Sequence, residues 1–157
     1  MRTPRTLALA VIAATLCAIP SIAQEHEKKI NRSDLPPAVE KTVATQTQGA
    51  TIRGFNQEEE NGQTFYEAEL TVNGHSKNIL IDPTGAIAEV EEQIDFASLP
   101  AAVQSGLQAK AGTGKLGKVE SITKHDKLVA YEAKVVTNGK RSEVQVGPDG
   151  KPLAHEE

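Results

Sequence analysis

The side chains that could do chemistry in this sequence are its carboxylates and histidines. Glu58-Glu59-Glu60 stand together beside Asn61 and could share a divalent cation, but the interleaved Asp/Asn and Gly of a calcium loop are missing, so a solvated loop tip is expected. His26, His75, His125 and His155 are scattered with no pair at metal-ligand spacing and read as solvated residues. Asp82-Pro83-Thr84-Gly85 invites comparison with an aspartic protease signature, which needs Asp directly before Thr-Gly and a second aspartate facing it; here a proline intervenes and Gly147 stands at the matching place downstream. A turn is the simpler reading. There is no Gly-x-Ser-x-Gly elbow and no Gly-rich phosphate loop ahead of a helix. Catalysis, a cofactor and a resident metal are therefore not expected.

Partners are narrowed by charge and composition. The chain of 157 residues carries 17 Lys+Arg against 21 Asp+Glu, with no Trp and 3% aromatic residues, so it offers few stacking platforms and a net charge that repels phosphate. Nucleic acid is excluded as an expected partner. Residues 1–23 have Arg2 and Arg5, the apolar run Leu7-Ala8-Leu9-Ala10-Val11-Ile12-Ala13-Ala14 and the small-x-small end Ser21-Ile22-Ala23, which is the plan of a secretory signal peptide. The apolar stretch Thr6–Ile19 falls short of the about 20 residues of a membrane span. Leu16 ahead of Cys17 speaks against lipidation, which wants a small residue there. Cleavage would remove two arginines and the only cysteine, taking the formal charge from −4 to −6 and leaving a protein without disulfides. The expected location is periplasmic or secreted, with no membrane span after cleavage.

The elements that would position the carboxylates are written in two similar stretches. Tyr66–Gly85 aligns without a gap on Tyr131–Gly150: Tyr66-Glu67-Ala68 meets Tyr131-Glu132-Ala133, Asn73-Gly74 meets Asn138-Gly139, and Pro83 with Gly85 meets Pro148 with Gly150. Upstream, Leu35, Val39 and Val43 form one helical stripe and Leu99, Val103 and Leu107 another, with Asp34 or Ser98 as cap and Gly106 weakening the second helix. Tyr66, Ala68, Leu70 and Val72 alternate with Glu67, Glu69 and Thr71, as Val129, Tyr131, Ala133 and Val135 do with Ala130, Glu132 and Lys134: strands with one buried face. Asn73-Gly74 and Asn138-Gly139 supply the positive-φ pairs of tight hairpins. Further strands are expected near Thr51–Gln57, Lys118–Lys124 and Ala86–Val90, with Gln93–Ala97 as a linker and Lys28-Lys29 as a solvated lead.

The expected fold is thus α+β: two helix-plus-antiparallel-meander repeats, 30–92 and 93–157, sharing one sheet with both helices on one face, since a unit of about 60 residues buries little surface alone. The other face would be open and mostly acidic.

An aromatic-Glu strand, an Asn-Gly hairpin and a strand closing in Asp-Pro-x-Gly, carried here by Phe65-Tyr66-Glu67-Ala68-Glu69-Leu70, Asn73-Gly74 and Ile79-Leu80-Ile81-Asp82-Pro83-Thr84-Gly85, resemble the PepSY-like domains of exported bacterial proteins. The second stretch departs from that pattern at Gly147, where the family usually has an acid. A tandem pair is also similar to the β-lactamase-inhibitor proteins, whose concave sheet clasps an enzyme. The resemblance implies a non-enzymatic binding or inhibitory module that engages a protein partner, such as a peptidase or other envelope enzyme, through the open face. Phe65, Glu67, Glu69, Glu132 and Lys134 are the expected contact residues. Two alternatives are a small-ligand or cation-binding sensory module using Glu58–Glu60, and an envelope structural protein.

Overall fold

The computed structural model describes residues 26–60 and 62–157; the signal-peptide reading and Asn61 lie outside them. Eight strands form one antiparallel sheet in chain order: β1 (His26–Ile30), β2 (Thr51–Glu60), β3 (Gln63–Val72), β4 (His75–Ile81), β5 (Ile87–Ile94), β6 (Lys115–Lys124), β7 (Lys127–Thr137) and β8 (Lys140–Val146). Two helices interrupt the run, α1 (Pro37–Gln46) between β1 and β2 and α2 (Ala101–Ala111) between β5 and β6.

The expectation of two helix-plus-meander α+β repeats is corrected by this topology. The molecule is mostly one continuous open antiparallel sheet with two short helices, in which β5 and β6 pair from Glu89 with Lys124 through Ile94 with Val119. A strand missed in the sequence, β1, precedes α1 and pairs with β2, so Lys28 and Lys29 are ladder residues and not a loose lead. Gln93 and Ile94 likewise belong to β5, so the supposed linker shrinks to Asp95 and the 3-10 turn Phe96–Ser98. The physical reason is that an unpaired β5 or β6 edge would leave its row of N–H and C=O groups without partners, whereas their pairing continues the ladder across the sheet.

Each helix buries its stripe. Val39 and Val43 pack with Phe55, Ala68, Leu70, Ile79 and Ile81, while Val103 and Leu107 pack with Val119, Tyr131, Ala133 and Val146. Val90 joins the first cluster and Ile94 the second, and their spacing on β5 puts both clusters on the same side of the sheet. Neither helix uses the expected cap. Pro36 and Pro100 occupy the N-cap positions, and the Asp34 carboxylate instead accepts from the Asn31 backbone N–H at 2.9 Å. The Asn-Gly turns adopt the required geometry, with φ of 51° at Asn73 and 51° at Asn138 followed by Gly74 at 87° and Gly139 at 80°.

Candidate functional site

Alternation sends the other half of the strand side chains to the uncovered face, and pairing arranges them in rows. One row runs Asn56, Glu67, Leu80, Glu89, Lys124 from β2 to β6. The next runs Glu69, Asn78, Glu91, Ile122, Ala130 from β3 to β7, and a third runs Gln93, Glu120, Glu132, Gln145 from β5 to β8. Over these rows lies a cavity of about 650 Å³ that is lined, among the described residues, by nine glutamates and a single lysine, Lys124.

Three of the floor carboxylates are held by carboxamides across the ladder. Asn56 Nδ2 donates to Glu67 Oε2 at 2.7 Å, Asn78 Nδ2 to Glu91 Oε2 at 3.3 Å, and Gln145 Nε2 to Glu132 Oε2 at 3.0 Å. An amide orients a carboxylate without supplying a countercharge. Burial, partly opposed by these hydrogen bonds at Glu67 and Glu132, pushes the carboxyls of both residues above the usual range. Burial does the same at Glu89 against the pull of Lys124, whose Nζ lies 3.4 Å from Glu89 Oε2. Glu91 is moved furthest, to about 7, by burial first and then by the surrounding charges of Glu120, Glu89, Glu132 and Glu67. Its β6 neighbour Ile122 is only 2% exposed, which keeps water away from one side of the carboxyl.

Two further features frame the cavity. At one margin Glu120, 4% exposed, accepts from Lys118 Nζ at 2.7 Å and from Ser76 Oγ at 3.2 Å, and Ser76 also reaches Gln93. At the other, the chain after β8 turns through Gly147–Gly150, pairs Pro152 with Val146, and returns to the open face, where Glu156 and Glu157 join the cavity lining. Asn56 is 1% exposed, and its Oδ1 is a buried acceptor with no partner.

The structure separates the sequence-predicted contact residues. Glu67 and Glu132 line the cavity, whereas Phe65 and Glu69 do not, although their cross-strand partners Glu58 and Asn78 do. Lys134 is ion-paired to Glu143 at 2.8 Å and borders a second, smaller groove with Arg141 and Val136. The residues that sequence reasoning missed are Glu89 and Glu91, at the centre of the face. Their alternation with Ala88 and Val90 was readable as strand, but nothing local placed that strand mid-sheet. Of the run Glu58–Glu60, Glu58 and Glu60 reach the cavity. Among the described residues, no group of three or more His, Cys, Asp or Glu is arranged to hold a metal ion. Asp82 serves its turn, accepting from the backbone N–H groups of Thr84 at 2.8 Å and Ala86 at 3.0 Å.

No protein-family model and no curated protein matches the chain. Solved structures share the fold. A DUF2874 family protein from Bacteroides ovatus superposes with a TM-score of 0.60 at 18% identity, covering 76% of this chain and 86% of that one. A protein from Bacteroides fragilis described as BLIP-like gives 0.57 at 19%, covering 78% and 86%. A protein from Bacteroides eggerthii described as periplasmic gives 0.62 at 16%, covering 76% and 86%. The chain thus has a BLIP-like fold, and no described helix is long and apolar enough to cross a membrane.

Proposed function

We propose that this is an exported, periplasmic binding module that takes a basic segment of a protein partner, presented as lysine and arginine side chains, into the cavity of the open sheet face. The observation that carries the reading is the set of glutamates fixed by neutral amides, with Lys124 as the one cation among the described residues of the cavity lining. Carboxylates spaced by a rigid ladder are ready to accept ammonium and guanidinium donors at little reorganisation cost. The BLIP-like fold and the PepSY-like motifs support an inhibitory role toward an envelope enzyme with a basic rim. The periplasmic description of the B. eggerthii protein and the signal-like residues 1–23 support the location.

The test is titration of the protein with a fluorescent pentalysine peptide at low salt, with pentaglutamate as control. Saturable binding of the first alone, weakened by Glu67→Lys with Glu132→Lys, is expected. If the intact protein leaves pentalysine free, or binds it undiminished by both reversals, the cavity is not the binding site.

A further inference from the structure

The segment that follows β8 does more than end a turn. Glu157 is gripped through its backbone by a side chain: its N–H donates to Gln145 Oε1 at 2.8 Å, and Gln145 Nε2 donates to its carbonyl oxygen at 3.4 Å, as a neighbouring strand would. The same Gln145 Nε2 holds Glu132 Oε2, so the strap and a cavity carboxylate share one amide. The Glu157 carboxylate reaches Lys124 Nζ at 3.4 Å, and that ammonium is equally 3.4 Å from Glu89 on the cavity floor.

Against this polar grip, no buried apolar side chain anchors residues 154–157 among the described residues. Ala154, His155, Glu156 and Glu157 are exposed, and Leu153 is half-buried. Segments with few buried contacts open at low cost. Electrostatics opposes the closed position too, because Glu156 and Glu157 add two carboxylates to a cavity lined by seven others and a single lysine. A cation bound between floor and strap would turn that repulsion into attraction, and by linkage would favour the closed strap as much as the closed strap favours it.

Resting on the reading of the open face given above, we propose that His155–Glu157 is a strap that closes over a bound cationic segment and supplies Glu156 and Glu157 as two of its ligating carboxylates. Gln145 fixes the strap's path in the closed position, and Lys124 there bridges Glu157 to Glu89.

The proposal is tested with the pentalysine peptide on the intact protein and on a Glu156→Gln, Glu157→Gln variant, whose changes lie on exposed residues and leave the core alone. The variant is expected to bind about fivefold more weakly, with most of the loss in a faster dissociation. Hydrogen exchange supplies a second readout: the Glu157 amide is expected to gain protection when peptide is added. Equal or tighter binding by the variant, or no gain in protection, overturns the strap while leaving the face as a binding site. Failure of the intact protein to bind pentalysine overturns the reading of the face and the strap together.

Discussion

Asn78 on β4 and Glu91 on β5 are cross-strand partners, and the Asn78 carboxamide donates to Glu91 Oε2 at 3.3 Å while the apolar Ile122 sits on the other flank. The amide gives Glu91 a fixed direction and no compensating charge. Burial first, and then the four surrounding glutamates, push the carboxyl up to about 7.

The first prediction concerns pH. Folding raises the Glu91 carboxyl from the usual 4.5 to about 7, so the native state binds its proton more tightly than the unfolded chain does. The Glu91 contribution to stability is therefore fully present below about 4.5 and is lost as pH rises through 7. Glu91→Gln, which keeps an acceptor for Asn78, should leave stability unchanged at low pH and raise it at pH 8 by up to about 3 kcal/mol. Urea unfolding of both proteins at the two pH values checks this, and equal midpoints at pH 8 would refute it.

Salt should act on recognition. Because the cavity has a single lysine among its carboxylates, association with a cationic peptide should slow by on the order of tenfold between about 50 mM and about 500 mM NaCl, with dissociation changing less. Stopped-flow fluorescence measures both rates. A salt-independent association rate would remove the electrostatic account.

Gly106 should resist replacement although it lies inside α2. An alanine there would ordinarily add about 1 kcal/mol of helix stability. Here its methyl would collide with the carbonyl oxygen of Gly150, and Gly150, at φ 78°, itself passes against Ala102. Backbone cannot yield as a side chain can, so the collision wins. Gly106→Ala is expected to lower stability by about 1–3 kcal/mol in thermal or urea melts; a stabilised variant would show that the helix and turn can part freely.

The Lys118–Glu120 pair should be costly to break and cheap to replace. Lys118→Met leaves a carboxylate that is 4% exposed with Ser76 as its remaining partner, for an expected loss of about 2 kcal/mol. Adding Glu120→Leu should recover most of it. A double variant no more stable than Lys118→Met would mean that the pair is needed for more than mutual neutralisation.

Much of the local structure was legible. Helical stripes at Val39, Val43 and Val103, Leu107, alternation about Ala68, Leu70 and about Tyr131, Ala133, and both Asn-Gly turns appear where their patterns lie. Glu67 and Glu132 were assigned to the open face by the same alternation. The helix caps were misjudged because Asn31 claims Asp34 for a preceding 3-10 turn and Pro36 takes the N-cap position. Strand β1 escaped notice because His26-Glu27-Lys28-Lys29-Ile30 has almost no apolar content and is a strand only through its pairing with β2.

Periodicity in the chain decided which side chains leave the sheet on which side, since alternation is a property of an extended backbone alone. Tertiary structure decided which of them meet. Glu91 finds Asn78 through a short turn but Ile122 only across α2, and Glu67, Glu89 and Glu132 share one cavity because register and strand order bring β3, β5 and β7 together with the returning Glu156–Glu157. Such register is set by hydrogen bonds and bulges between distant segments, at Ile52/Gly54, Leu80/Ile81 and Ile122/Thr123, and no local pattern encodes it.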